Sequence, residues 1–167
     1  MQNEAGTEAA TNLPQVDAAA EQYATVAAIL KAKAARGASW FYWIAGLSLI
    51  NLFAIIGNTD FRFVFGLGVS EFLGEWAKQA ATNGSGSSDV AIAAGGSLAM
   101  TAFFALCGRF AHRPSVPAFV IGTLVFALDS LVFVVVKDWV AVAFHAYAIY
   151  ALWQGFNAAR QYKSLNA

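Results

Sequence analysis

The stretch VPAFVIGTLVFALDSLVFVVV, residues 116–136, decides the fold, because its only charged residue is Asp129. About 20 apolar residues, each rising 1.5 Å along a helix, cross a hydrocarbon core ~30 Å thick. Three other runs read the same way: 40–56, 90–107 and 139–156. The chain of 167 residues is 59% hydrophobic and 12% charged, whereas a soluble domain is roughly 45–50% apolar and 25% charged. The fold expected is all-α, an integral membrane four-helix bundle of four transmembrane helices.

Outward from residues 116–136, Lys137 and Asp138 are the only residues before the next run, so the third and fourth spans should be antiparallel neighbours. Upstream, Arg109, His112 and Arg113 fill a short basic loop. The membrane domain is read as 38–157, with a cytoplasmic tail at 158–167. Residues 1–37 form a cytoplasmic segment with an amphipathic helix over 14–36. Pro14 suits its first turn and Gly37 its end. Residues 61–80 hold only a short apolar portion between Arg62, Glu71, Glu75 and Lys78, which predicts an interfacial or re-entrant helix on the outer side. Residues 83–89, NGSGSSD, read as a flexible linker. The first apolar run begins near residue 38 and is read as a permanent anchor rather than a cleaved leader.

Basic residues set the orientation, since cytoplasmic loops carry the excess of Lys and Arg. Four spans place Lys31, Lys33, Arg36, Arg109, Arg113, Arg160 and Lys163 inside, with Arg62, Lys78 and Lys137 outside. A fifth span at 61–77 would leave no bias. Both termini are therefore expected on the cytoplasmic side of a bacterial-type inner membrane.

Each span carries a stripe of small or polar residues: Ala45, Ser48 and Asn51; Ala94, Ser97, Thr101, Ala105 and Gly108; Ala118, Gly122 and Asp129; Ala141, His145 and Ala148. Such stripes allow close helix approach in lipid, leaving Leu, Ile, Val and Phe outward. Asn51, Asp129 and His145 fall roughly 4–5 Å beyond the span midpoints on the outer side, with Ser97 near them. They are expected to form one intramembrane polar layer, to which Glu71 could contribute. An ionised Asp in hydrocarbon costs at least about 2.5–3.5 kcal/mol, so it needs a partner, a cavity or a proton. The layer reads as a hydrogen-bonded cluster fixing helix register, a contact to another subunit, a ligand, substrate or proton pocket opening outward, or a metal site to which Glu71 would add a third ligand beside Asp129 and His145. Arg109, His112 and Arg113 could meet lipid headgroups.

Several classes are disfavoured. Ten basic residues balance ten acidic ones and no basic cluster appears, so no nucleic-acid partner is expected. Two histidines and one cysteine leave no metal signature, no haem pair and no catalytic triad. No cofactor is expected. The leading reading is a small non-catalytic membrane protein, an accessory subunit or interaction module whose partners are the bilayer and other membrane subunits or itself. The alternative is a small pocket protein that binds or transports a lipid-like or protonatable ligand through the Asn/Asp/His layer.

Overall fold

The computed structural model describes residues 13–56, 67–82 and 86–166. Among these it is all-helical, with five helices: α1 (Leu13–Ile56), α2 (Gly68–Thr82), α3 (Gly86–Ala111), α4 (Val116–Val135) and α5 (Trp139–Leu165). Residues 1–12, the front of the 61–80 segment and residues 83–85 of the linker lie outside the described residues.

Two boundaries differ from the sequence reading. The helix over 14–36 does not stop at Gly37 but continues as one 44-residue rod into the first apolar run. A lone glycine costs a helix only about 1 kcal/mol, and tertiary packing uses this one. A Cβ at Gly37 would stand 2.4 Å from Gly155 Cα, so α1 and α5 touch backbone to backbone there. Nor is the linker irregular throughout, because Gly86–Asp89 already belong to α3.

The most extensive contacts are α1 with α3 and with α5, then α2 with α3 and α4 with α5. Smaller contacts between α3 and α4 close a ring of α1, α3, α4 and α5. Helix α2 lies mainly against α3. Leu73 packs on Gly96, where a Cβ would come within 2.9 Å of it. With only residues 83–85 between α2 and α3, that pairing makes the two an antiparallel hairpin. At 15 residues, α2 is about 22 Å long, too short for a full crossing.

The α4–α5 turn explains the register of its two helices. Asp138 N–H donates to Phe133 O (3.0 Å) and Lys137 N–H to Val134 O (3.2 Å), a Schellman closure. Lys137 takes the left-handed position at φ 60. Asp138 then caps α5, its Oδ1 accepting from Val140 N and Ala141 N at 3.1 Å each.

The core is more aromatic than the small-residue stripes suggested. Phe41, Phe104, Phe119, Phe126 and Phe133 are all buried rather than turned outward. The reason is shape. Gly122 leaves a slot that the Phe41 ring fills, with a Cβ there falling 2.5 Å from Phe41 Cε1. Phe41 stacks on Phe104 at 6.3 Å and meets Phe119 at 5.9 Å. Ala45, Ser48, Asn51, Ala141, His145 and Ala148 of the small or polar stripes are buried too.

Two helical stretches, Ser88–Ala111 and Val116–Val135, are long and apolar enough to cross a membrane among the described residues. Only 22% and 28% of their most apolar windows are buried, unlike the core helix of a water-soluble protein. On α4, Ile121, Leu124, Leu128 and Leu131 are exposed while Asp129, its one charged residue, is buried. That is the reverse of an amphipathic helix in water.

Candidate functional site

The helix register of α4 puts Phe126, Asp129 and Phe133 on one face at spacings of three and four, and all three are buried. The tight turn brings His145 of α5 opposite them. His145 Nε2 lies 3.4 Å from Asp129 Oδ2, with both side chains about 1% exposed. The imidazole lies between two rings, Phe126 stacked at 4.4 Å and 16°, and Phe133 tilted at 4.8 Å.

The carboxylate has a second set of partners that sequence reasoning did not find. Gly68 N–H donates to Asp129 Oδ2 at 2.8 Å and Val69 N–H donates to Oδ1 at 2.9 Å. These are the first two amides of α2, which have no partner within their own helix. The residue preceding them, Leu67, accepts Glu71 N–H through its carbonyl (3.2 Å) but has no side-chain acceptor to cap the helix. Asp129, more than sixty residues away in the chain, caps it instead. A helix N-terminus is a ready anion site, with orphan donors and the positive end of the dipole together. No sequence signal marks this cap, because the usual one is a Ser, Thr, Asp or Asn at the N-cap itself. Gly68 is the only trace. A Cβ there would meet Phe133, Val132 and Asp129 O at 3.0–3.1 Å, so only glycine lets the amide come this close without displacing them.

His145 Nδ1 lies 2.8 Å from Ala141 O. A carbonyl only accepts, so Nδ1 carries the proton and donates it. Nε2 is buried without a hydrogen bond. With the proton on Nδ1, Nε2 carries a lone pair and has no hydrogen to offer Asp129 Oδ2 at 3.4 Å, so the two are close neighbours rather than hydrogen-bonded.

The other residues singled out from the sequence fall elsewhere. Asn51 and Ser97 are buried. Ser97 Oγ has no hydrogen-bond partner. Glu71 sits half-buried in the first turn of α2. Among the described residues no three His, Cys, Asp or Glu side chains gather into a metal-binding set, so Glu71 does not complete one with Asp129 and His145. Arg109 and Arg113 are exposed, while His112 is half-buried and its ring lies 5.5 Å from that of Tyr42.

At the opposite end of the ring, α1 and α5 enclose a hollow of about 260 Å³ lined by Lys33, Arg36, Trp40, Tyr147, Tyr150 and Gln154 around the Gly37–Gly155 contact. No family model, curated protein or solved structure matches this chain.

Proposed function

We propose that the chain is a small integral membrane protein without catalytic chemistry, serving as an accessory subunit or interaction module. In this reading α1, α3, α4 and α5 all cross the bilayer as a four-helix bundle, and α2 is a re-entrant half-helix starting near mid-membrane at Asp129. Both termini are cytoplasmic in a bacterial-type inner membrane. The observation that carries the reading is Asp129 itself. Its two carboxylate oxygens are occupied by backbone amides of α2, and its neighbour His145 is enclosed by phenylalanines. The most expensive group in the membrane thus has an internal structural role, as a pin that holds a half-helix in the bundle.

The charge layout supports the orientation. Residues 22–59, 90–128 and 139–167 contain no Asp or Glu. The contacts Gly37–Gly155 and Tyr42–Gly108 put Lys33, Arg36, Arg109 and Arg160 at one end of the ring, as the positive-inside bias requires.

The second reading, a pocket or proton-handling protein, is favoured by one observation: His145 Nε2 is buried, without a hydrogen bond, and faces Asp129. One experiment separates the two. Wild-type, Asp129→Asn and His145→Phe proteins are reconstituted in vesicles containing a pH-sensitive dye, and their melting is measured in parallel. The structural reading expects lower melting temperatures for the variants and no proton flux above empty vesicles for any protein. A wild-type flux that Asp129→Asn abolishes while still folded would establish the second reading instead.

A further inference from the structure

We propose that the α1–α5 seam at the basic end is a binding site for the headgroup of an anionic phospholipid. The inference rests on the membrane-spanning reading above and concerns a site remote from Asp129. Four observations carry it. First, α1 and α5 touch backbone to backbone at Gly37 and Gly155, and beside that contact lies a hollow of about 260 Å³ that shares Lys33, Tyr150 and Gln154 with another of about 320 Å³. Binding sites for small molecules are typically about 300–1,000 Å³.

Second, Lys33 and Arg36 are three residues apart on α1, so they occupy one helix face. Both line the hollow, and both are exposed. Arg offers a planar fork to phosphate oxygens and Lys a point charge. Third, neither wall supplies a competing anion. Residues 22–56 of α1 and all of α5 contain no carboxylate, and neither cation has an ion pair among the described residues.

Fourth, the wall is graded along its length. Trp40 meets Tyr147 edge-on at 5.3 Å and 80° just above the cations. Such amphipathic rings sit at the headgroup level of a bilayer, and the apolar spans continue beyond them. Cations below, aromatic rings at the boundary and a lipid-facing seam above match a phospholipid with its phosphate at Lys33 and Arg36. A free phosphate would use only the lower part. Basic pockets between helices on the cytoplasmic side are an established mode of anionic headgroup recognition.

The test uses the full chain in mild detergent, with bound lipid counted by native mass spectrometry. The probes are phosphatidylglycerol, phosphatidylcholine, glycerol 3-phosphate and inorganic phosphate. Wild type should retain phosphatidylglycerol in preference to phosphatidylcholine. K33Q/R36Q should weaken that binding roughly 10- to 30-fold, with an unchanged melting temperature because both residues are exposed. R109Q/R113Q should change it less than about twofold. Equal retention of the two lipids, or equal loss in both double variants, would overturn the site. Displacement of the lipid by inorganic phosphate as readily as by phosphatidylglycerol would reassign it to a soluble phosphate. Alkaline carbonate washing of native membranes keeps the failures apart: release of the protein refutes the spanning reading, whereas retention without a lipid preference refutes only this site.

Discussion

At the far end of the ring, Gly68 lacks a side chain and so lets a backbone amide reach the Asp129 carboxylate. At the basic end, Gly37 and Gly155 lack theirs, two backbones touch, and a hollow opens beside them. The same residue type has opposite consequences. Where small residues sit beside a buried charge, the gap closes over a polar contact, and the charge becomes structural. Where they sit on facing helices beside exposed cations, the two backbones close on each other and the hollow lies beside that contact, open to whatever surrounds the protein. The difference lies in the neighbours: phenylalanines on two sides of His145 in one case, and Lys33 and Arg36 in the other.

This contrast can be broken from either side. The largest effect is expected for Asp129→Ala, which orphans the buried Gly68 amide and the half-buried Val69 amide and removes the carboxylate beside His145. Removing one partner of a buried polar network typically costs about 3–5 kcal/mol. The buried thiol of Cys107 offers the readout, since unfolding exposes it to a thiol-reactive dye. A melting curve that matches wild type would mean that Asp129 does not hold α2. Gly37→Leu comes next. Its side chain would overlap the Gly155 backbone, and overpacking of this kind costs about 3 kcal/mol. Because the clash is with backbone, no rotamer change relieves it, and an unchanged melting temperature would refute the close crossing of α1 and α5.

Gly68→Ala should cost about 1–3 kcal/mol. It presses on Phe133, Val132 and the Asp129 carbonyl at 3.0–3.1 Å, and hydrogen exchange should be accelerated in the first turn of α2 before it changes elsewhere. Uniform exchange along the helix would count against the cap. His145→Phe should cost only about 1 kcal/mol, the value of one hydrogen bond, because the ring still packs on Phe126 and Phe133. His145→Ala should cost more, since it also empties the aromatic slot. Equal losses in the two variants would show that the imidazole nitrogens, rather than the ring, matter most. The smallest change expected is a gain. Lys137→Gly relieves a left-handed residue at φ 60, worth up to about 1 kcal/mol, and should raise the melting temperature by tightening the turn that sets Asp129 opposite His145.

Much of the scaffold is legible in the amino-acid sequence. The apolar runs gave the helices, the two-residue connection at Lys137 and Asp138 gave the antiparallel pair, and the lone charge in residues 116–136 marked where a partner would be needed. The cap was not legible, because its acceptor lies 61 and 60 residues along the chain from its two donors. The groove was not legible either. It depends on Gly37, which reads locally as a helix end, meeting Gly155, which carries no local signal at all.

The sequence alone determined where the apolar helices lie and which of their faces carry small or ionisable groups, because hydrogen bonding and hydrophobic periodicity act over a few residues. Only the tertiary structure decided what those groups do. Asp129 became a cap through the amides of a helix that cannot cap itself, and the glycines of α1 and α5 became the base of a hollow through their mutual contact. Both outcomes depend on distances between helices, which no local pattern encodes.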